Sequence, residues 1–167
     1  MHKKQGFTLI ELLTVVLILG ILTSIAVPQY SKSIQRAEAA DALINLKTLF
    51  DAGKRYYSLH STWPTSFTGL DVGFLDAGTT GEVGGFKYSF ASNKTASACR
   101  LVGNSATSSY CLTAYYKKNI DYDGNGTNET IRDVYTCKDN SGGEYAALCD
   151  SLCPSDYTSG ECIIESR

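Results

Sequence analysis

From Phe7 to Val27 the chain is apolar except for Thr8, Glu11, Thr14, Thr23 and Ser24. About 20 such residues rise roughly 30 Å as an α-helix, the depth of a bilayer's hydrocarbon. A different helical pattern follows. Ala39, Leu43, Leu46, Phe50, Gly53 and Tyr57 recur every three or four residues, broadened by Ala42, Leu49 and Tyr56. That spacing puts them on one face, leaving Lys32, Arg36, Glu38, Asp41, Lys47 and Lys54 for the other. The stripe is too short for a coiled coil, so it is expected to pack on the chain's own sheet. Trp63-Pro64 is expected to end the helix.

Beyond Pro64 the pattern shortens to strands. Residues 86–90 alternate cleanly after a Gly-rich stretch at 78–85, and 98–102, 110–116 and 130–137 are further candidates. The expected fold class is α+β: a long N-terminal helix, first membrane-spanning and then amphipathic, packed on a small antiparallel β-sheet head. The boundaries are 7–28 for the apolar helix, 29–62 for its amphipathic half and 63–167 for the head.

At 167 residues this is one small head with an appendage. A head of about 100 residues has a thin core and gains from covalent staples. Cys99, Cys111, Cys137, Cys149, Cys153 and Cys162 all lie in the C-terminal part of the chain. An even number behind an apolar N-terminus points to disulfides in an oxidising compartment. Zinc is the rival reading, but there is no C-x-x-C, and His2 and His60 lie far from the cluster. Sequence leaves the pairing open. Cys99 and Cys111 could close a hairpin-like loop, with the other four pinning the C-terminal segment to the sheet. Net charge is −2, with a mildly basic stem and an acidic head. No Lys/Arg cluster marks a nucleic-acid surface.

At the N-terminus, Lys3 and Lys4 precede the apolar run and hold it to a cytoplasmic start. Two ordinary readings compete: a plain anchor, or a secretory signal cut near Ser24-Ile25-Ala26. Glu11 counts against both, because a carboxylate within a membrane helix costs about 2.5–3.5 kcal/mol on insertion scales. Such an acid implies a partner. Cleavage before Phe7 would create an α-amino group one helical turn from Glu11, able to meet the Glu11 of a neighbouring copy and neutralise both charges.

The segment Lys3-Lys4-Gln5-Gly6-Phe7-Thr8-Leu9-Ile10-Glu11-Leu12 resembles the cleavage signature of type IV prepilins and pseudopilins. The resemblance implies a leader over residues 1–6, cleavage between Gly6 and Phe7 by prepilin peptidase, and N-methylation of Phe7. It assigns Phe7 and Glu11 to filament assembly. Gly20 and Pro28 match the helix-weakening Gly and Pro of family pilins, and Trp63-Pro64 matches their aromatic-Pro pair after the helix. The head resembles the pilin head, with its sheet laid across the helix and its disulfide-bounded C-terminal region.

One stretch carries candidate chemistry. Asp121, Asp123, Asn125 and Gly126 match positions 1, 3, 5 and 6 of a calcium loop, with Glu129 a further oxygen donor. The twelfth position is Arg132 instead of an acid, and a Gly- and Asx-rich hairpin turn uses the same residues. No other cofactor is expected. Enzymatic motifs are absent: no H-E-x-x-H, G-x-S-x-G or phosphate loop. The sequons at Asn93, Asn125 and Asn128 decide nothing in so Asn- and Thr-rich a head.

The expected function is structural: a type IV pilus subunit, major or minor, used for adhesion, motility or DNA uptake. Its partners would be further copies of itself, prepilin peptidase, the assembly platform and the inner membrane before assembly, and not nucleic acid. It would start in the bacterial inner membrane and end in an extracellular filament. The alternative is a pseudopilin of a type II secretion system, with a periplasmic filament. A membrane-anchored periplasmic binding protein or enzyme, monomeric and indifferent to Glu11→Ala, is the reading from another class.

Overall fold

The computed structural model describes residues 8–101, 108–120, 129–143, 145–153 and 161–165. The elements are α1 (Leu9–His60), β1 (Thr80–Val83), β2 (Phe86–Ala91), β3 (Thr95–Leu101), β4 (Ser108–Ile120), β5 (Glu129–Asp139), α2 (Ala146–Leu152) and β6 (Glu161–Glu165). The chain divides between Ala37 and Glu38 into two units, each described in turn.

In the first unit the helix buries almost nothing. Every large apolar side chain from Leu9 to Val27 is exposed, from 49% at Val15 to 88% at Leu9. Its hydroxyls do not interrupt that surface, because each turns back onto the helix. Thr14 Oγ1 donates to the Glu11 carbonyl (3.0 Å), Thr23 Oγ1 to Leu19 (2.7 Å) and Ser24 Oγ to Ile21 (2.7 Å). In hydrocarbon this local pairing is what makes Ser and Thr tolerable. Helix α1 continues through both Gly20 and Pro28.

The second unit is a sheet with one helical face. All six strands pair antiparallel in sequence order, β1-β2-β3-β4-β5-β6. Ala39, Ala42, Leu46, Leu49, Phe50, Ala52 and Gly53 are the buried residues of α1. They share one core with Phe86 and Tyr88 of β2, Ala96 and Ala98 of β3, Leu112 and Ala114 of β4, and Tyr135 and Cys137 of β5. These sheet residues alternate along their strands, as a half-buried sheet requires. The apolar stripe is therefore where periodicity placed it, with Ala52 added and with Leu43, Tyr56 and Tyr57 only half-buried.

The opposite face departs from expectation. Glu38 pairs with Arg100 at 3.0 Å, and Lys54 bridges Asp51 (2.8 Å) and Asp133 (3.3 Å). Lys47 Nζ lies 5.3 Å from the centre of the Tyr135 ring. Long side chains at the edge of an apolar stripe reach around it while their stems pack, so these three serve the head instead of facing open solvent.

The helix ends at His60, just ahead of Trp63-Pro64, as expected. Ser61 takes a left-handed φ of 58° and donates its N–H to the Tyr57 carbonyl at 2.8 Å. Trp63 then folds back onto Phe50, Phe90, Tyr57 and Tyr116, with its indole N–H donating to the Thr95 carbonyl.

Candidate functional site

Helix α1 opens on a reciprocal cap. The Glu11 carboxylate accepts the backbone N–H of Thr8 at 2.7 Å and its hydroxyl at 2.8 Å. The Thr8 hydroxyl oxygen in turn accepts the Glu11 N–H at 3.3 Å. Thr8 stands just before Leu9, the first helical residue, and Glu11 at the third, so this is a capping box. It satisfies two of the donors that every helix N-terminus leaves open. The acid thus has a partner within its own chain. The Thr-x-x-Glu spacing signals that partner in the sequence, yet the reading above assigned Glu11 only an amine.

Gly6 and Phe7 lie outside the described residues, as do Asp121, Asp123 and Asn125. Glu129 opens β5 opposite Ile120 of β4. The strands flanking residues 121–128 are thus paired to their ends. Among the described residues no group of three or more His, Cys, Asp or Glu is arranged to hold a metal. His60 is taken up by the helix end: its ring stacks on Tyr56 at 4.2 Å and its Nδ1 lies 3.1 Å from the Tyr56 carbonyl.

Gly20 and Pro28 sit in the exposed half of α1. A Cβ at Gly20 would meet nothing within 4 Å. Packing within the chain therefore does not demand glycine there. Pro28 has no N–H, so the Ser24 carbonyl loses its normal helical partner. Glycine and proline, both poor helix formers, thus stand eight residues apart along an apolar rod.

The six cysteines form three bridges: Cys99–Cys111, Cys137–Cys149 and Cys153–Cys162. The first joins directly opposed residues of β3 and β4. The second ties α2 to β5, and the third ties the end of α2 to β6. Helix α2, whose N-cap Tyr145 makes no side-chain cap, is held by these two bridges and by the burial of Leu148.

Beside them, Glu161 of β6 lies across β4 and β5. It takes an ion pair from Lys118 (2.6 Å) and hydrogen bonds from Thr136 (2.7 Å) and Tyr115 (3.2 Å). Burial opposes its charge, but the Lys118 and Thr136 hydrogen bonds outweigh that and hold the carboxyl below its ordinary range. Burial, reinforced by the Glu161 charge, pushes the Tyr115 phenol up to about 12.

Comparison with known proteins meets this geometry at the helix start. Residues 1–27 match the prokaryotic N-terminal methylation motif. The chain is 38% identical over 69 residues to a fimbrial protein of Neisseria meningitidis, covering 41% of each. It is 46% identical over 56 residues to the type IV major pilin protein PilA of Myxococcus xanthus, covering 34% of this chain and 26% of that one. It is also 38% identical over 72 residues to the type II secretion system core protein G of Vibrio cholerae, covering 43% and 49%. The match thus spans less than half the length of each of these relatives. Through its methylation motif and apolar N-terminal helix the chain is thus similar, over its N-terminal part, to type IV pilins and to a type II secretion pseudopilin.

Proposed function

We propose that this chain is a structural subunit of a type IV pilus. It enters the bacterial inner membrane as a prepilin, prepilin peptidase cuts it after Gly6 and N-methylates Phe7, and an assembly platform draws it into a helical filament. The observation that carries this reading is the exposed apolar surface of Leu9–Val27, with an acid four residues from the cleavage point. Such a surface is covered either by lipid or by the same surface of other copies, and a subunit that passes from one to the other becomes a filament. In that transfer the new Phe7 amine and a neighbour's Glu11 neutralise each other in apolar surroundings. The helix between Gly20 and Pro28 is where it loosens on assembly. The filament stands on the cell surface and serves adhesion, motility or DNA uptake.

The pseudopilin reading has its own support in the similarity to the core protein G of a type II secretion system. It predicts the same N-terminus with a short periplasmic filament. Within either reading, Asp121, Asp123, Asn125 and Glu129 are a candidate calcium loop. A thermal melt unchanged by EGTA and by Asp123→Ala removes that role.

The test is the intact mass and N-terminal peptide of the chain from native membranes or sheared filaments. N-methylated Phe7 at the start supports prepilin processing, and imaging of cells then separates surface pilus from pseudopilus. A chain that retains Met1 or begins near Val27 overturns both.

A further inference from the structure

The three bridges join cysteines that are consecutive along the chain, closing sequence separations of 12, 12 and 9 residues. The folded geometry alone does not enforce that choice among the last four. Cys137 and Cys162 are direct partners across β5 and β6, yet each is bonded elsewhere. Directly opposed residues of antiparallel strands have Cα atoms about 4.5–5.5 Å apart, within the reach of a disulfide. Cys99–Cys111 is such a bridge in this chain, at a Cα–Cα distance of 4.1 Å. Cys149 and Cys153 lie one helical turn apart, with the Cys153 N–H on the Cys149 carbonyl at 3.1 Å. Cys162 Sγ itself sits 3.4 Å from that carbonyl. A second pairing, Cys137–Cys162 with Cys149–Cys153, is therefore close at hand, and burial of Cys137, Cys149 and Cys162 would lock in either one.

What separates the two is order. A chain anchored by its N-terminus presents Cys137 and Cys149 outside the membrane before Cys162 arrives. We propose that a thiol:disulfide oxidase closes the three bridges in chain order as the head emerges, so that order and not later isomerisation selects the pairing. This rests on the export reading above. At each bridge the first cysteine thiolate attacks the oxidase disulfide and forms a mixed disulfide. The second thiolate then attacks the first cysteine's sulfur and expels the reduced oxidase. Two protons leave the chain, and two electrons pass to the oxidase, which becomes a dithiol.

The full chain is expressed in bacteria that are wild type, lack the periplasmic oxidase, or lack the periplasmic isomerase. Free thiols are trapped by alkylation, and linked peptides are mapped by mass spectrometry. The expected result is the three consecutive pairs at undiminished yield without the isomerase, and loss of all three without the oxidase. Accumulation of Cys137–Cys162 peptides in the isomerase-deficient cells overturns the proposal and leaves the export reading intact. Six alkylated thiols in wild-type cells overturn both. The variant Cys149→Ser checks the order itself. It frees Cys137, whose next partner in chain order is Cys153 and whose neighbour across the strands is Cys162. Cys137–Cys153 peptides must then appear, and Cys137–Cys162 peptides without them would mean that proximity and not order selects the pairing.

Discussion

Glu11 and Thr8 hold each other at the first turn of α1, with the carboxylate on the Thr8 N–H at 2.7 Å and on its hydroxyl at 2.8 Å. An acid in an apolar helix thereby keeps its hydrogen bonds without any second molecule. The neutralisation proposed above would bring a neighbour's amine to a carboxylate already held through its Oε2. Thr8→Val keeps the shape of the side chain and deletes the hydroxyl. Loss of such a cap costs a helix about 1 kcal/mol. In micelles, amide exchange over the first turn of α1 should accelerate roughly fivefold while the rest of the helix is unchanged. Equal exchange rates would remove the cap as a stabilising contact.

Gly53 tests how closely the helix packs on the head. Replacing a helical Gly by Ala normally stabilises by about 1 kcal/mol. Here the added Cβ would lie 3.0 Å from Phe90 Cε1 and 3.1 Å from the Trp63 ring. Overpacking of that kind costs about 1–3 kcal/mol, so the packing term wins. Gly53→Ala should lower the melting temperature of the head. Gly20→Ala, with open space around it, should not destabilise the monomer. If both variants melt at or above the wild type, the Phe90–Trp63 wall is softer than drawn.

Much of this architecture could be read from spacing alone, and the reasons for the remainder are physical. The stripe through Ala39, Leu46 and Phe50 and the strands through Phe86, Leu112 and Val134 repeat an apolar residue often enough to declare their period. β1, α2 and β6 do not. β1 has four residues, Thr-Gly-Glu-Val, at the sheet edge. Its Gly81 admits Leu75, whose Cδ2 would lie 2.6 Å from an added Cβ. α2 has seven residues and no side-chain cap, so disulfides rather than propensity place it. β6 is five residues long, and its place beside β5 rests on tertiary contacts of Glu161 and Cys162. The same limit holds at the functional end. The Gly6-Phe7-Glu11 signature is local and legible, as is the Thr8 cap spacing. Cys99–Cys111, a hairpin-closing pair, is legible too. The Lys118–Glu161 pair instead joins distant parts of the chain, and the last four cysteines lie close enough for more than one pairing, so no spacing rule reaches either.

The Cys99–Cys111 bridge closes a loop of about a dozen residues, for which chain entropy predicts about 3 kcal/mol. The double variant Cys99→Ser/Cys111→Ser should therefore melt well below wild type, with the same secondary structure by circular dichroism. The native β3–β4 register gives the two serines room to face each other, so the fold is expected to persist. A melting temperature within error of wild type would show that the sheet alone supplies this stability.

Acid and base should unlatch the C-terminal strand through different groups. The Glu161 carboxyl is held below its ordinary range in the fold, so its contribution is complete above the unfolded carboxylate pKa and disappears as pH falls through the lower folded value. Glu161→Gln should flatten the acid limb of head stability around and below about pH 4.3, where an unperturbed Glu is half protonated. Tyr115 behaves oppositely. Its folded pKa is pushed up to about 12, so its contribution is complete below the ordinary phenol range and is lost as pH rises toward that value. Tyr115→Phe should flatten the base limb. Urea melts of the two variants at stepped pH read both limbs, and a pH profile unchanged by either substitution would mean that neither group latches β6.

Pro28 removes one helical hydrogen bond, and α1 nevertheless runs unbroken from Leu9 to His60. Its consequence is therefore expected in the assembled filament, where the stretch between Gly20 and Pro28 loosens, and not in the isolated chain. Pro28→Ala restores the missing donor to the Ser24 carbonyl. Filaments of this variant should be stiffer, with a longer persistence length in electron micrographs and a smaller extension under load. If wild-type and Pro28→Ala filaments share the same elasticity and helical symmetry, Pro28 has no part in assembly, and its place in an otherwise continuous apolar helix needs another cause.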